Sequence, residues 1–255
     1  MNKANICHNF SRCAYLYDKY SDVQRMSALE ILNGIDSRDF AHVLEIGCGT
    51  GNYTSLLREK FKNTRITALD ISGRMVEVAQ GKLRDKNIEF VVGDGESVDM
   101  TRENFDLITS NACFQWFENL DKALKKYKGL LKKNGLILFS LFGPLTFREL
   151  GESLACVAQN ASIPAGSFID KDTINNLLKG EYKNVTIKEL IYEESFNNLR
   201  ELLEKIKYSG IKGGGLRNMI YLGKNNLERL EETYLNKFKQ IKATYQIFCC
   251  QGYVS

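Results

Sequence analysis

Three glycines at alternate positions, Gly47, Gly49 and Gly51, follow the short run Val43-Leu44-Glu45-Ile46 and precede Tyr53-Thr54-Ser55-Leu56-Leu57, whose apolar spacing suits a helix. A glycine turn between strand and helix permits positive φ and lets a ligand reach the backbone without meeting a Cβ, which is how nucleotide-type cofactors are held. The spacing is GxGxG, and Asn52 stands where the dinucleotide fingerprint GxGxxG needs its last glycine. Glu45, two residues before the first glycine, could hold a polar or cationic part of a ligand. Asp70 ends the next apolar run at nearly the separation expected of a ribose-binding carboxylate. His8 and His42 are the only histidines, and neither falls among the glycines and carboxylates at the strand ends, which speaks against a hydrolase or a dehydrogenase. The seven cysteines show no CxxC or His-rich companion pattern, so the sequence offers no metal site and reads as free thiols of a reducing compartment. Cys48 lies inside the glycine turn, where its size matters more than its nucleophilicity.

These residues need elements to hold them. Apolar runs at 65–70, 88–92, 105–110 and 136–141 follow the first and alternate with helical patterns at 73–86, 97–103 (weak) and 120–132. Strand alternating with helix predicts a parallel sheet with helices on both faces, and ligands of such sheets bind outside the carboxyl ends of the strands. The distinctive residues fall at those ends: Gly47 to Gly51, Asp70, Asp94-Gly95-Glu96 and Asn111 to Trp116. Upstream, 9–34 reads as one helix. Beyond Pro144 the alternation stops: helical patterns at 146–160, 171–178, 199–208 and 225–241, a flexible Lys212-Gly-Gly-Gly turn, and long strands at 185–196 and 243–253 that would pair antiparallel at the sheet edge. We therefore expect a single α/β domain over 1–255, with a lid helix in 1–34, a cofactor-binding core in 40–143, a cap with an edge strand in 144–242 and a last strand in 243–255.

A formal charge of +4, from 35 basic and 31 acidic residues, is too small to imply nucleic-acid binding. No apolar run approaches the ~20 residues that span a bilayer, and the amino terminus lacks a signal-peptide core. The expectation is a cytoplasmic monomer that engages neither nucleic acid nor membrane.

Glu45-Ile-Gly-Cys-Gly-Thr-Gly, Leu69-Asp70-Ile71-Ser72 and Gly93-Asp94-Gly95-Glu96 together resemble the cofactor motifs of class I S-adenosylmethionine-dependent methyltransferases. A narrower resemblance spans nearly the whole chain. Phe10-Ser-Arg12-Cys-Ala14-Tyr-Leu-Tyr17-Asp18 with Gln24, Ser110-Asn111-Ala112-Cys-Phe-Gln115-Trp116, Gly143-Pro144-Leu-Thr146-Phe147-Arg148 and Leu202-Leu203-Glu-Lys-Ile-Lys207 are similar to segments of the malonyl-acyl-carrier-protein O-methyltransferases of biotin synthesis. The first two segments also occur, less completely, in trans-aconitate-type methyltransferases.

The resemblance implies a Rossmann-like sheet and S-adenosyl-L-methionine held by Gln24, Glu45, Gly47, Cys48, Gly49, Gly51, Asp70, Ile71, Asp94, Gly95, Glu96 and Asn111. In this reading Glu45 orients the amino group of the methionine part, Asp70 takes the ribose hydroxyls and Asp94 meets the adenine amino group. The implied acceptor is the free carboxylate of malonyl-acyl carrier protein or malonyl-coenzyme A, with Tyr17, Gln115, Thr146 and Arg148 as candidates to hold it. A carboxylate is already ionised near neutral pH, so no strong general base is needed and proximity must supply the rate. A basic patch at Lys205, Lys207, Lys212 and Arg217 is expected to steer the acidic carrier.

Overall fold

Every residue of the strand His42–Ile46 is buried, so its side chains enter two cores in turn. Val43 joins Ile66, Ala68, Leu107 and Leu138 on the face covered by the helices Asp22–Asn33 and Asn52–Lys60. Leu44 and Ile46 join Leu69, Ile108, Ile137 and Phe139 on the opposite face, under the helices Leu120–Leu130 and Lys171–Glu181. Period-two alternation with both faces apolar is what a doubly covered parallel sheet demands.

The computed structural model describes residues 2–35, 38–100, 104–157, 163–209 and 224–255. Among them the strands are β1 (His42–Ile46), β2 (Arg65–Asp70), β3 (Ile88–Val92), β4 (Phe105–Asn111), β5 (Leu131–Phe142), β6 (Lys183–Phe196) and β7 (Ile241–Tyr253), in one sheet of order β3-β2-β1-β4-β5-β7-β6. β1 to β5 run parallel, and β7 is antiparallel to both β5 and β6, giving the expected edge pair. The helices are α1 (Lys3–Cys13), α2 (Asp22–Asn33), α3 (Asn52–Lys60), α4 (Gly73–Lys82), α5 (Leu120–Leu130), α6 (Arg148–Val157), α7 (Lys171–Glu181), α8 (Leu199–Tyr208) and α9 (Lys224–Phe238). A third core under α6, α8 and α9 joins Leu150, Leu154, Leu202, Ile206, Leu230 and Tyr234 to Tyr245 and Ile247 of β7, so the cap is seated on the antiparallel edge. No helix among the described residues is long and apolar enough to cross a membrane.

The strand order reverses between β1 and β4, and the turns that follow these two strands flank the crevice at this switch point. Two expectations are corrected. The segment 9–34 is not one helix: α1 ends at Cys13, a 3-10 turn covers Tyr17–Tyr20, and α2 begins at Asp22. The break serves packing, because α1 lies on α4 whereas α2 lies on α3 and the sheet, which one straight rod could not do. Asp18 fastens the break by accepting bonds from Thr50 Oγ1 at 2.5 Å and Asn52 Nδ2 at 3.0 Å and by pairing with Lys82. Second, 97–100 is not helical; Ser97 and Val98 bond back to the Asp94 carbonyl as a turn, while 101–103 and the Lys212 turn fall outside the described residues.

Candidate active site

The carbonyl of Leu69 accepts the N–H groups of Gly47 (2.7 Å) and Cys48 (2.9 Å), and Asp70 Oδ2 accepts that of Gly49 (2.9 Å). Asp70 Oδ1 accepts the Ser72 N–H at 2.8 Å, so the glycine turn and the end of β2 form one rigid floor. Gly47 and Gly49 have φ of +77° and +54°, a region that disfavours a Cβ. Space separates them further. A Cβ on Gly47 would come within 2.5 Å of Cys113 Sγ, whereas one on Gly49 would meet nothing within 4 Å. Gly51 lies away from the crevice, where a Cβ would come within 3.1 Å of Ala79 Cβ and Leu83 Cδ1.

A cavity of about 720 Å³, open mouth included, lies above this floor. Of the residues expected to hold the cofactor, Gly47, Gly49, Asp70, Ile71, Asp94, Gly95 and Asn111 line it, together with Tyr17 and the apolar side chains of Ile46, Leu69, Met75, Trp116 and Phe117. Helix α1 contributes Lys3, Ile6 and Phe10. Phe10 meets Tyr17 and Trp116 edge-on, at ring separations of 6.1 and 6.2 Å, so an aromatic wall forms one side of the cavity. An adjoining hollow of about 410 Å³ shares Tyr17, Gly47, Gly49 and Asn111 and adds Gln24, Arg25, Cys48 and Thr50.

Several carboxylates here are moved from their ordinary range, Glu45 the furthest. Glu45 has no exposed surface and neither carboxylate oxygen has a hydrogen-bond partner. Burial pushes its pKa up to about 8, the nearby Thr54 hydroxyl opposing and the charge of Asp70 adding. Glu45 lines neither the cavity nor the adjoining hollow, but an unpaired buried carboxylate two residues before the glycine turn fits a neighbouring group that brings a cation. Burial also raises Asp70, against the two backbone N–H bonds. Asp94 and Glu96 would rise by burial as well, but the Lys3 ammonium, 2.6 Å from each, holds both below the usual carboxylate range. Burial keeps the Tyr17 phenol and the Cys48 thiol protonated, so Cys48 is no nucleophile.

The remaining sequence-predicted residues divide. Asn111 is locked: its Nδ2 donates to the Gln24 carbonyl at 2.9 Å and its Oδ1 accepts from Ser27 and Ser140, tying α2 to β4 and β5. Glu96 stays outside the cavity and accepts the backbone N–H groups of Glu118 and Asn119 ahead of α5. Gln115 is buried beside the cavity, donating to the Ala112 carbonyl at 2.7 Å while its Oε1 has no partner. Thr146 does not face the cavity; its hydroxyl donates to the Gln246 carbonyl and accepts the Gln246 N–H, both at 3.2 Å, as a stitch between β7 and the turn after β5. Arg148 also points away, paired with Glu149 at 3.2 Å and Glu193 at 3.6 Å, so it supplies no free cation to an acceptor. Lys205, expected on an exposed patch, is buried between Glu194 (2.5 Å) and Asp22 (3.4 Å), while Lys212 and Arg217 lie outside the described residues.

A family profile described as "Methyltransferase domain" matches residues 44–139, the stretch that holds the glycine turn, Asp70 and Asp94. Malonyl-acyl-carrier-protein O-methyltransferase 2 of Ilyobacter polytropus is 34% identical over 242 residues, covering 93% of this chain and 92% of its own. The chain belongs to the malonyl-acyl-carrier-protein O-methyltransferase family. A further member of the family, from Acetivibrio thermocellus, is 31% identical over 252 residues, covering 93% of this chain and 89% of its own. The fold agrees with that of the YcgJ protein of Bacillus subtilis, at a TM-score of 0.63 and 16% identity over 90% of this chain and 98% of the other. In this family member Lys3, Phe10 and Trp116 line the cavity and Arg25 the hollow beside it, and sequence reasoning gave none of them a role. Phe10 and Trp116 stood inside the motifs, where aromatic content was the available signal, whereas Lys3 and Arg25 carried none.

Proposed function

We propose that this protein transfers the methyl group of S-adenosylmethionine to the free carboxylate of a malonyl thioester carried by acyl carrier protein, as the names of its family relatives state for them. The observation that carries the donor side is the floor of the cavity: Gly49 open to the ligand beside a carboxylate, Asp70, fixed by two backbone N–H bonds. Asp70 retains lone pairs for two ribose hydroxyls, Asp94 can accept from an exocyclic amine once Lys3 shifts to Glu96, and Glu45 can neutralise an α-ammonium group. When bound, S-adenosylmethionine supplies an electrophilic methyl on a sulfonium.

The chain's own residues then have two tasks. Phe10, Tyr17 and Trp116 exclude water, and an anionic acceptor gains attraction to a cation in a dry pocket. The protonated Tyr17 phenol is a donor suited to a carboxylate oxygen. No residue needs to remove a proton, since the acceptor is already ionised. Esterification removes that charge, so the product binds less well than the substrate.

The test is mass spectrometry of malonyl-carrier protein incubated with the enzyme and S-adenosylmethionine, expecting one added methyl that mild alkali releases as methanol. If malonyl thioesters stay unmodified while a free di- or tricarboxylic acid is methylated, the acceptor assignment is wrong.

A further inference from the structure

On the flank of α1, Asn9, Arg12 and Cys13 face Lys207 and Tyr208 of α8 across a cleft of about 500 Å³, solvent at its mouth included. Arg12 and Lys207 are exposed and form no ion pair among the described residues, although Lys3, Lys82, Lys188 and Lys205 each hold a carboxylate. The Lys207 ammonium rests 4.8 Å from the ring centre of Tyr208. Among the described residues no carboxylate lines the cleft; Glu204, on the same helix, accepts the Tyr20 hydroxyl at 2.9 Å, and Tyr20 stacks on Tyr208 at 5.1 Å. Two cations, an amide and a phenol with no anion among them make a receptor for a multi-oxygen anion.

Its position says which anion. Buried Cys13 forms one wall of the cleft and packs in a cluster with Ala14, Met75, Phe10, Tyr17 and Tyr208, of which Met75, Phe10 and Tyr17 also line the cavity. Cleft and cavity thus lie on two sides of one packed cluster, which a long, flexible ligand would pass over to have one end in each. We propose that this cleft binds the phosphodiester of the phosphopantetheine arm, with the malonyl end in the cavity. The proposal rests on the malonyl-thioester reading above. It keeps Lys207 of the expected basic patch, adds Arg12, and leaves out Lys205, which is buried and paired.

Three acceptors separate the possibilities: malonyl-pantetheine, which lacks the phosphate, malonyl-phosphopantetheine, and malonyl-carrier protein. The double variant Arg12→Gln, Lys207→Gln should raise KM about tenfold for the two phosphorylated acceptors and leave that of malonyl-pantetheine and the affinity for S-adenosylmethionine within twofold. A rise alike for all three makes the cleft a structural wall and overturns the proposal, as does no change for any. A wild type inert toward all three removes the acceptor reading itself, and the proposal with it. Should the double variant fail to fold, Lys207→Gln alone is compared with wild type by ³¹P resonance broadening of phosphopantetheine. Broadening by wild type that Lys207→Gln weakens supports the site; no broadening by wild type, or equal broadening by both, overturns it.

Discussion

Replacing Glu45 by Gln should make the ligand-free protein more stable at neutral pH and abolish a pH dependence that wild type shows. The carboxyl has no exposed surface and neither oxygen has a partner, so its charged form is penalised and its pKa rises from 4.5 to about 8. A folded-state value above the unfolded one means that the native state binds more protons in between. Its contribution to stability is therefore full below pH 4.5 and is lost as pH rises toward about 8. At ~1.4 kcal/mol per pH unit, the loss by pH 7 is about 3 kcal/mol, or roughly 6–12 °C in Tm for a chain of this size. Thermal melts of both proteins at pH 5 and pH 7 measure it, because the glutamine's own cost does not vary with pH and cancels in the difference. Parallel curves would show that Glu45 titrates normally and refute the reasoning. Calorimetry in buffers of different ionisation enthalpy adds a second reading. Binding S-adenosylmethionine at pH 7 should release close to one proton as its ammonium ionises Glu45, and methylthioadenosine, which lacks that ammonium, should release none.

Asp70→Asn should weaken S-adenosylmethionine binding roughly ten- to hundredfold by calorimetry, since hydrogen bonds to a charged acceptor contribute about 1.5–3 kcal/mol; unchanged affinity would remove Asp70 from the ribose. Arg148→Gln should leave kcat/KM within twofold and cost at most ~1 kcal/mol, because its side chain is 42% exposed and its ion pairs are solvent-screened. A tenfold fall in kcat would return it to the acceptor site. Lys205→Met should cost about 3 kcal/mol in denaturant melts by leaving Glu194 without its cation, yet alter KM for carrier-bound and coenzyme A substrates alike. A selective effect on the carrier would mean that Lys205 touches it.

Local chemistry made the cofactor floor legible in advance. Glycines, strand-end carboxylates and period-two apolar runs act within a few residues of one another, and the boundaries of β2 and β3 agree with the expected runs to the residue. Where reasoning from sequence fell short, a distant partner decides the matter. Thr146 and Arg148 sit in a family-like segment, but what they face is set by Gln246 and Glu193 on the late strands β7 and β6. Lys205 has the sequence surroundings of an exposed helix residue and is buried because Glu194 and Asp22 converge on it from two other elements. Likewise, the helical periodicity of 9–34 cannot reveal that Asp18 is drawn to Thr50 and Asn52, which divides the segment in two. Gly47 lines the cavity and also abuts Cys113, whereas Gly51, expected at the ligand, packs against helix α4.

That last point makes the three glycines of the turn unequal in what they tolerate. At Gly47 a single methyl group collides with a cysteine of another loop, and at Gly51 it presses on the helix that follows β2, so alanine at either position damages the scaffold before it reaches the chemistry. At Gly49 the same methyl group enters empty space that only a ligand would fill, at the modest backbone cost of a left-handed alanine. One carbon atom there divides folding from binding: Gly49→Ala should keep its sheet and cap by circular dichroism while losing the donor by calorimetry, a clean background for studying acceptor recognition by itself.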